Sequence, residues 1–93
     1  MQLSQLAMFA AVAKAKSYSA AARELYTSHS TLSRAVTALE QELGVQLLRR
    51  DNHVESLTPA GEVLLEESEK LLSLAEEAAA RVKAAAENQE EGR

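Results

Sequence analysis

Ser30, Arg34, Thr37 and Gln41 recur every three or four residues. That spacing puts two hydroxyls, a guanidinium and a carboxamide on one face of a helix. Such groups donate and accept hydrogen bonds without making or breaking covalent ones, so the chemistry they suit is recognition of a polar partner. Leu32, Val36, Leu39 and Leu43 fall on the opposite face and mark it as the side turned to a core. The helix is part of SAAARELYTSHSTLSRAVTALEQELG, Ser19 to Gly44, in which two short helical patterns, each opened by a Ser, are joined by a few polar residues. A pairing of that kind reads DNA.

Bond-making chemistry has little to stand on elsewhere in the chain. No Ser-His-acid arrangement, phosphate-cradling Gly loop or opposed carboxylate pair is visible in the 93 residues, so the chain is not read as an enzyme. With no Cys there is neither a disulfide framework nor a thiolate metal site, and His29 and His53 are too few to hold a metal alone. Glu66, Glu67 and Glu69 read as a solvated helix face. No cofactor and no metal are expected. The N-terminus has no basic region ahead of its apolar residues, and no apolar run is long enough to span a bilayer, so a reducing, cytoplasmic setting is expected.

The net charge of −4 sits uneasily with a DNA partner until it is divided along the chain. Residues 1 to 58 hold six Lys or Arg against five acids, a net of +1, and residues 59 to 93 hold four against nine, a net of −5. The acidity belongs to the second part.

The elements that must position the recognition face follow from periodicity. Pro59 and the glycines Gly44, Gly61 and Gly92 are sparse punctuation, so helix is the default between them. Leu3, Leu6, Phe9, Ala10 and Ala13 predict a first helix over Ser4 to Lys14. Ser17-Tyr18-Ser19 breaks the pattern, and Ser19 serves as N-cap of a second helix, Ala20 to Leu25. Tyr26-Thr27-Ser28 leads into the third helix, which Gly44 closes as a left-handed cap. In VQLLRRDNHVESLTP, two β-capable stretches, Leu47 to Arg49 and Val54 to Leu57, flank a turn at Arg50-Asp51-Asn52-His53. Thr58 and Pro59 form a cap and first-turn pair, with Glu62 near the positive end of the new helix.

From Pro59 to Asn88 nothing interrupts that last helix. Leu64, Leu71, Ala75, Ala78, Val82 and Ala85 form one apolar track, with Leu65, Leu72, Ala79 and Ala86 beside it. So small a domain cannot cover this stripe, which predicts a partner helix, most simply from a second copy of the chain. The expected organisation is a DNA-binding domain over 1–58, a dimerisation helix over 59–88 and a disordered tail over 89–93.

Helix, helix, turn, helix, hairpin and long helix describe a mainly α fold, a winged helix-turn-helix of three helices and a two-stranded wing followed by a long dimerisation arm. The wording AAARELYTSHSTLSRAVTALEQELGVQLLRR followed by LTPAGEVLL closely resembles the N-terminal domain of LysR-type transcriptional regulators, from Met1 to about Ala86. The spaced elements that carry the resemblance are Ala21-Ala22, Leu25, Ser28, Leu32-Ser33-Arg34, Leu39-Glu40, Leu43-Gly44-Val45, Leu47 and Leu57-Thr58-Pro59-Ala60-Gly61.

The resemblance implies that helix two supports helix three in the major groove, that the wing touches backbone or minor groove, and that the long helix pairs antiparallel across a homodimer. Carried onto this sequence, Ser28, His29, Ser30, Thr31, Ser33 and Arg34 are the implied DNA contacts, with Arg49, Arg50 and His53 on the wing. Leu64, Leu71, Ala75, Ala78 and Val82 form the expected dimer seam. The implied partners are double-stranded DNA bearing an inverted-repeat operator and a second copy of the chain, in bacterial cytoplasm. The chain departs from the family at His29, where many relatives have Gln, at Leu48, where an aromatic is usual, and at Thr27, where an aliphatic is common. The family normally continues into a larger effector-binding domain, and the chain is read without one. The alternative is a protein-interaction module that heterodimerises through its long helix with another regulator.

Overall fold

The computed structural model describes residues 1–51 and 54–91, with side chains outside the description at 50–51, 54–55 and 89–91. Its elements are α1 (Leu3–Ala15), α2 (Tyr18–Glu24), α3 (His29–Leu43), β1 (Leu48–Asp51), β2 (Val54–Leu57) and α4 (Pro59–Glu91). The three short helices, the hairpin and the base of α4 enclose one core, in which Leu6, Phe9, Val12, Leu32, Val36, Leu39, Leu47 and Leu48 are almost wholly shielded from water. This is the winged helix-turn-helix that the element order predicted.

α1 extends one residue beyond each predicted end, and its C-cap is Lys16 at φ 54°, with the Lys16 amide donating to Val12 O at 2.8 Å. Left-handed backbone at a helix end favours glycine, because a Cβ there crowds the neighbouring carbonyl. Lys16→Gly is expected to stabilise the domain by about 1 kcal/mol. Thermal unfolding of the variant checks this; an unchanged or lower midpoint would contradict it.

The start of α2 corrects the sequence reading. Its cap is Ser17, whose Oγ accepts from the Ala20 amide at 3.1 Å, and not Ser19. Either Ser could cap in isolation. Starting at Tyr18 turns that ring into the core, where it is only 4% exposed, and this burial decides between the two. At the other end Leu25 is the C-cap and not the last helical residue. Leu43 also departs from the predicted core face of α3. Leu43 is exposed on the last turn, beyond the reach of the α1 and wing residues that cover Leu32, Val36 and Leu39.

β1 and β2 pair antiparallel, with Leu48 opposite Leu57, Arg49 opposite Ser56, Arg50 opposite Glu55 and Asp51 opposite Val54. The first strand begins one residue later and ends two later than predicted. Leu47 is kept out of the ladder because its amide bonds to the Glu40 carboxylate at 2.8 Å and its carbonyl accepts from the Thr58 amide at 3.0 Å. Within the predicted turn, Asn52 and His53 lie outside the described residues.

α4 has 33 residues, about 50 Å at the helical rise, and gives the molecule extents of 62 × 26 × 18 Å. Thr58 caps it as predicted, its Oγ1 accepting from the Gly61 amide at 3.0 Å. The first three turns pack on α1: Leu64 joins the core cluster, Ser68 is wholly buried, and Glu69 pairs with Lys14 at 3.2 Å. The core thus extends past Thr58 into the helix. From Glu76 to Asn88 every residue is exposed.

Candidate nucleic-acid interface

Small side chains set the recognition helix in place. Ala21 and Ala22 are buried on α2, and their size lets α3 cross it closely. The connecting turn uses Tyr26 at φ 53° and a bond from the Thr27 amide to Ala22 O at 2.9 Å. Ser28 then caps α3, its Oγ accepting from the Thr31 amide at 3.1 Å.

Hydroxyls converge at that cap. Ser28 Oγ lies 3.2 Å from Ser30 Oγ and 2.9 Å from Thr31 Oγ1, so the three form a linked cluster at the positive end of the α3 dipole. A negatively charged group meeting this end would find hydroxyl donors and free backbone amides. His29, in the first turn, is exposed, and its ring packs on Tyr18 with centroids 4.8 Å apart and planes tilted by 41°. The buried Tyr18 thereby fixes where the imidazole stands.

Farther along α3, Ser33 is half-buried while Arg34 is exposed and makes no ion pair among the described residues. Thr37 and Gln41 continue the exposed face and, with Val45, Gln46 and Leu48, line a groove between α3 and the start of the wing. On the wing, Arg49 is exposed on β1. The register places Arg50 opposite Glu55, although both side chains, like His53 as a whole, lie outside the description. The predicted recognition residues Ser28, His29, Ser30, Thr31, Ser33 and Arg34 therefore lie together at the first two turns of α3, with Arg49 on β1.

The wing is held to α3 by Glu40. Its Oε2 accepts from the amides of Leu47 at 2.8 Å and Leu48 at 3.4 Å. Gln46 Nε2 donates to Leu48 O at 2.9 Å, and Thr58 Oγ1 donates to Gln46 O at 2.6 Å. Glu42 meanwhile accepts from the N-terminal ammonium at 2.7 Å. One of the five acids in residues 1–58, Glu42, is thus offset by the N-terminal ammonium, which leaves the exposed cations Arg34 and Arg49 less opposed than a count of Lys, Arg, Asp and Glu suggests.

One exposed residue escaped the sequence reading. Tyr26, in the turn between α2 and α3, is 96% exposed, carrying a phenol into solvent next to the hydroxyl-rich cap. An aromatic amid polar turn residues was the signal available for it. The predicted seam also needs correction at Leu64, which is 9% exposed and sits in its own domain's core. Leu71, Ala78 and Val82 are exposed and Ala75 is half-exposed. Val63 and Leu74, which the track omitted, are exposed as well. The face of α4 turned to α1 and the face left free are different faces, and a track drawn through Leu64 runs between them.

Among the described residues no group of three or more His, Cys, Asp or Glu could hold a metal ion, and no helix is long and apolar enough to cross a membrane.

Residues 3–62 match the family model of bacterial regulatory helix-turn-helix proteins of the lysR family. The chain is 44% identical over 75 residues to a "Probable RuBisCO transcriptional regulator" of Trieres chinensis, covering 81% of this chain and 24% of that protein. It is 42% identical over 86 residues to the HTH-type transcriptional regulator TcbR of Pseudomonas sp. (strain P51), covering 92% and 29%. The chain therefore spans about a quarter of the length of these curated relatives. Among solved structures, the CbnR_DBD–DNA complex superimposes with a TM-score of 0.89 at 42% identity, covering 92% of this chain and 99% of that one. The complex of BenM_DBD with catB site 1 DNA gives 0.89 at 36%, covering 92% and 96%.

Proposed function

The chain belongs to the LysR family of bacterial regulatory helix-turn-helix proteins, and on that premise we propose that it binds double-stranded DNA sequence-specifically, as a homodimer joined through α4, to regulate transcription in the bacterial cytoplasm. The observation that carries this reading is the exposed face of α3, Ser30, Arg34, Thr37 and Gln41, on a fold shared with domains solved bound to DNA. A helix fits the major groove of B-DNA, where an Arg fork matches the O6 and N7 acceptors of guanine. The cap hydroxyls of Ser28, Ser30 and Thr31 and the amides at the α3 N-terminus suit a phosphate or a base edge. His29, Ser33 and the wing residues Arg49, Arg50 and His53 complete the proposed contact set.

The homodimer reading rests on the free apolar face of α4 beyond the core. In it two copies of α3 meet two half-sites, so the operator is an inverted repeat whose spacing the arm sets.

Arg34→Ala is expected to cost about 1–3 kcal/mol in binding to a specific site, with discrimination relaxed at one base position. Arg49→Ala should instead weaken all duplexes alike and lower the salt slope by about one phosphate contact. Titration of the chain against duplex DNA at two salt concentrations tests the reading, since affinity should fall steeply as salt rises. Absence of duplex binding at low salt would refute it.

A further inference from the structure

We infer that DNA binding by this chain is proton-linked through His29: the imidazole takes up a proton as the first turn of α3 meets the duplex, and affinity rises as pH falls. The inference rests on the DNA-binding reading above and adds to it a chemical signal to which the reading helix responds. Between about pH 5 and 8 imidazole is the side chain whose ordinary titration falls in range. The chain has two, His29 and His53, of which His29 lies among the described residues.

The ring is held in position by its neighbour. His29 is exposed in the first turn of α3, and its imidazole leans on the ring of Tyr18, with centroids 4.8 Å apart. Tyr18 is 4% exposed and anchored in the core, so the imidazole stands at the surface on a rigid platform before any duplex arrives. A long, mobile cation in its place would have to be ordered on binding, which opposes affinity.

In the chain by itself no carboxylate is paired with this ring. α3 packs on α1 and α2, and Tyr18 of α2 is the titratable group in ring contact with His29. Of the acids on these elements, Glu24 ends α2, while Glu40 and Glu42 stand about three turns or more along α3, Glu40 holding the Leu47 amide and Glu42 the N-terminal ammonium. None of them forms an ion pair with His29 among the described residues. The cations Lys14 and Lys16 at the end of α1, Arg23 on α2 and Arg34 on α3 offer no acceptor. Leu32 and Ser33, three and four residues on and so beside His29 on the helix surface, are uncharged.

A duplex changes that environment. It brings a dense array of phosphate charge, and its acceptors within reach of a helix in the major groove include phosphate oxygens and the O6 and N7 of guanine. A neutral imidazole offers one donor and one acceptor, whereas the charged ring offers two donors and a positive charge. The complex therefore holds the proton on His29 more tightly than the free chain does. The added affinity is complete below the pH at which the free ring titrates and is lost as pH rises through the titration of the bound ring. A separation of about one pH unit between the two amounts to about tenfold in affinity for each copy of the chain bound.

The test is a titration of a mixed-sequence duplex of about 30 base pairs at constant low salt, from about pH 8 to about pH 5.5, with the parent chain and with His29→Gln, which keeps a polar side chain but cannot titrate. The parent should gain about tenfold per copy over that range and His29→Gln should stay flat, so that the two diverge as pH falls. Calorimetry of the parent near neutral pH, in two buffers of different ionisation heat, needs no variant and should register uptake of up to about one proton per chain bound. Duplex binding that is flat with pH, binding without proton uptake, or a slope that persists in His29→Gln overturns the proton linkage and leaves the DNA-binding reading standing. Absence of binding at every pH overturns that reading as well.

Discussion

Replacing Leu74 and Val82 together with glutamate should separate the copies and reduce affinity for an inverted-repeat operator by about 10²–10⁴-fold. Both side chains are largely exposed within one chain, 60% and 70% respectively, so the winged domain does not depend on them for folding. Between two copies the changes place carboxylates in an apolar seam. An uncompensated charge buried at an interface costs about 3–5 kcal/mol, far more than a surface substitution. Each half-site would then be bound independently, without the effective concentration that a linked second domain provides. Sedimentation of the variant beside a titration on single and paired half-sites checks both steps. A monomeric variant that still binds the paired site as tightly as the parent would show that α4 does not link the reading domains.

Gly61→Ala should lower stability by about 3–5 kcal/mol, although it adds a single methyl group. A Cβ at Gly61 would collide with the Leu47 backbone carbonyl and come within 3.1 Å of Leu57 Cδ2. That carbonyl cannot readily retreat, because it accepts from the Thr58 amide at 3.0 Å, with Thr58 Oγ1 also 3.2 Å away. Helix, wing base and cap meet at one point. The methyl forces α4 off the wing or breaks the cap, and the expected fall in the unfolding midpoint is about 15 °C or more. Gly44→Ala is the control: its φ of 69° disfavours a Cβ, but nothing lies within 4 Å of the added methyl. Its cost should be about 1 kcal/mol. A Gly61→Ala midpoint as close to the parent's as that of Gly44→Ala would contradict the crowding argument.

The parts of the fold that sequence made legible are those fixed by local chemistry. Gly44 at a left-handed cap, Thr58 ahead of Pro59, and the Leu32, Val36 and Leu39 stripe each depend on a few adjacent residues, and each is found where the pattern put it. The misplacements arose where distant residues decide. Ser17 prevails over Ser19 because Tyr18 is wanted in the core, and Leu47 leaves the strand because the Glu40 carboxylate holds its amide from seven residues away. Leu64 looked like the start of a free seam because periodicity cannot say that α1 already covers that face. The candidate site was legible as a list of hydroxyls and cations. Their linkage through the Ser28 cap and the packing of His29 on Tyr18 depend on three-dimensional arrangement and are seen only in the structure.

The central claim is that α3 reads base sequence and that two copies do so symmetrically. Selection from a pool of random duplexes, using the chain at a concentration where it is dimeric, tests this most directly. The account predicts enrichment of an inverted repeat whose half-sites both lose enrichment at the same base position when Arg34→Ala is used for the selection. Recovery of no preferred sequence, or of a single asymmetric half-site, would contradict it.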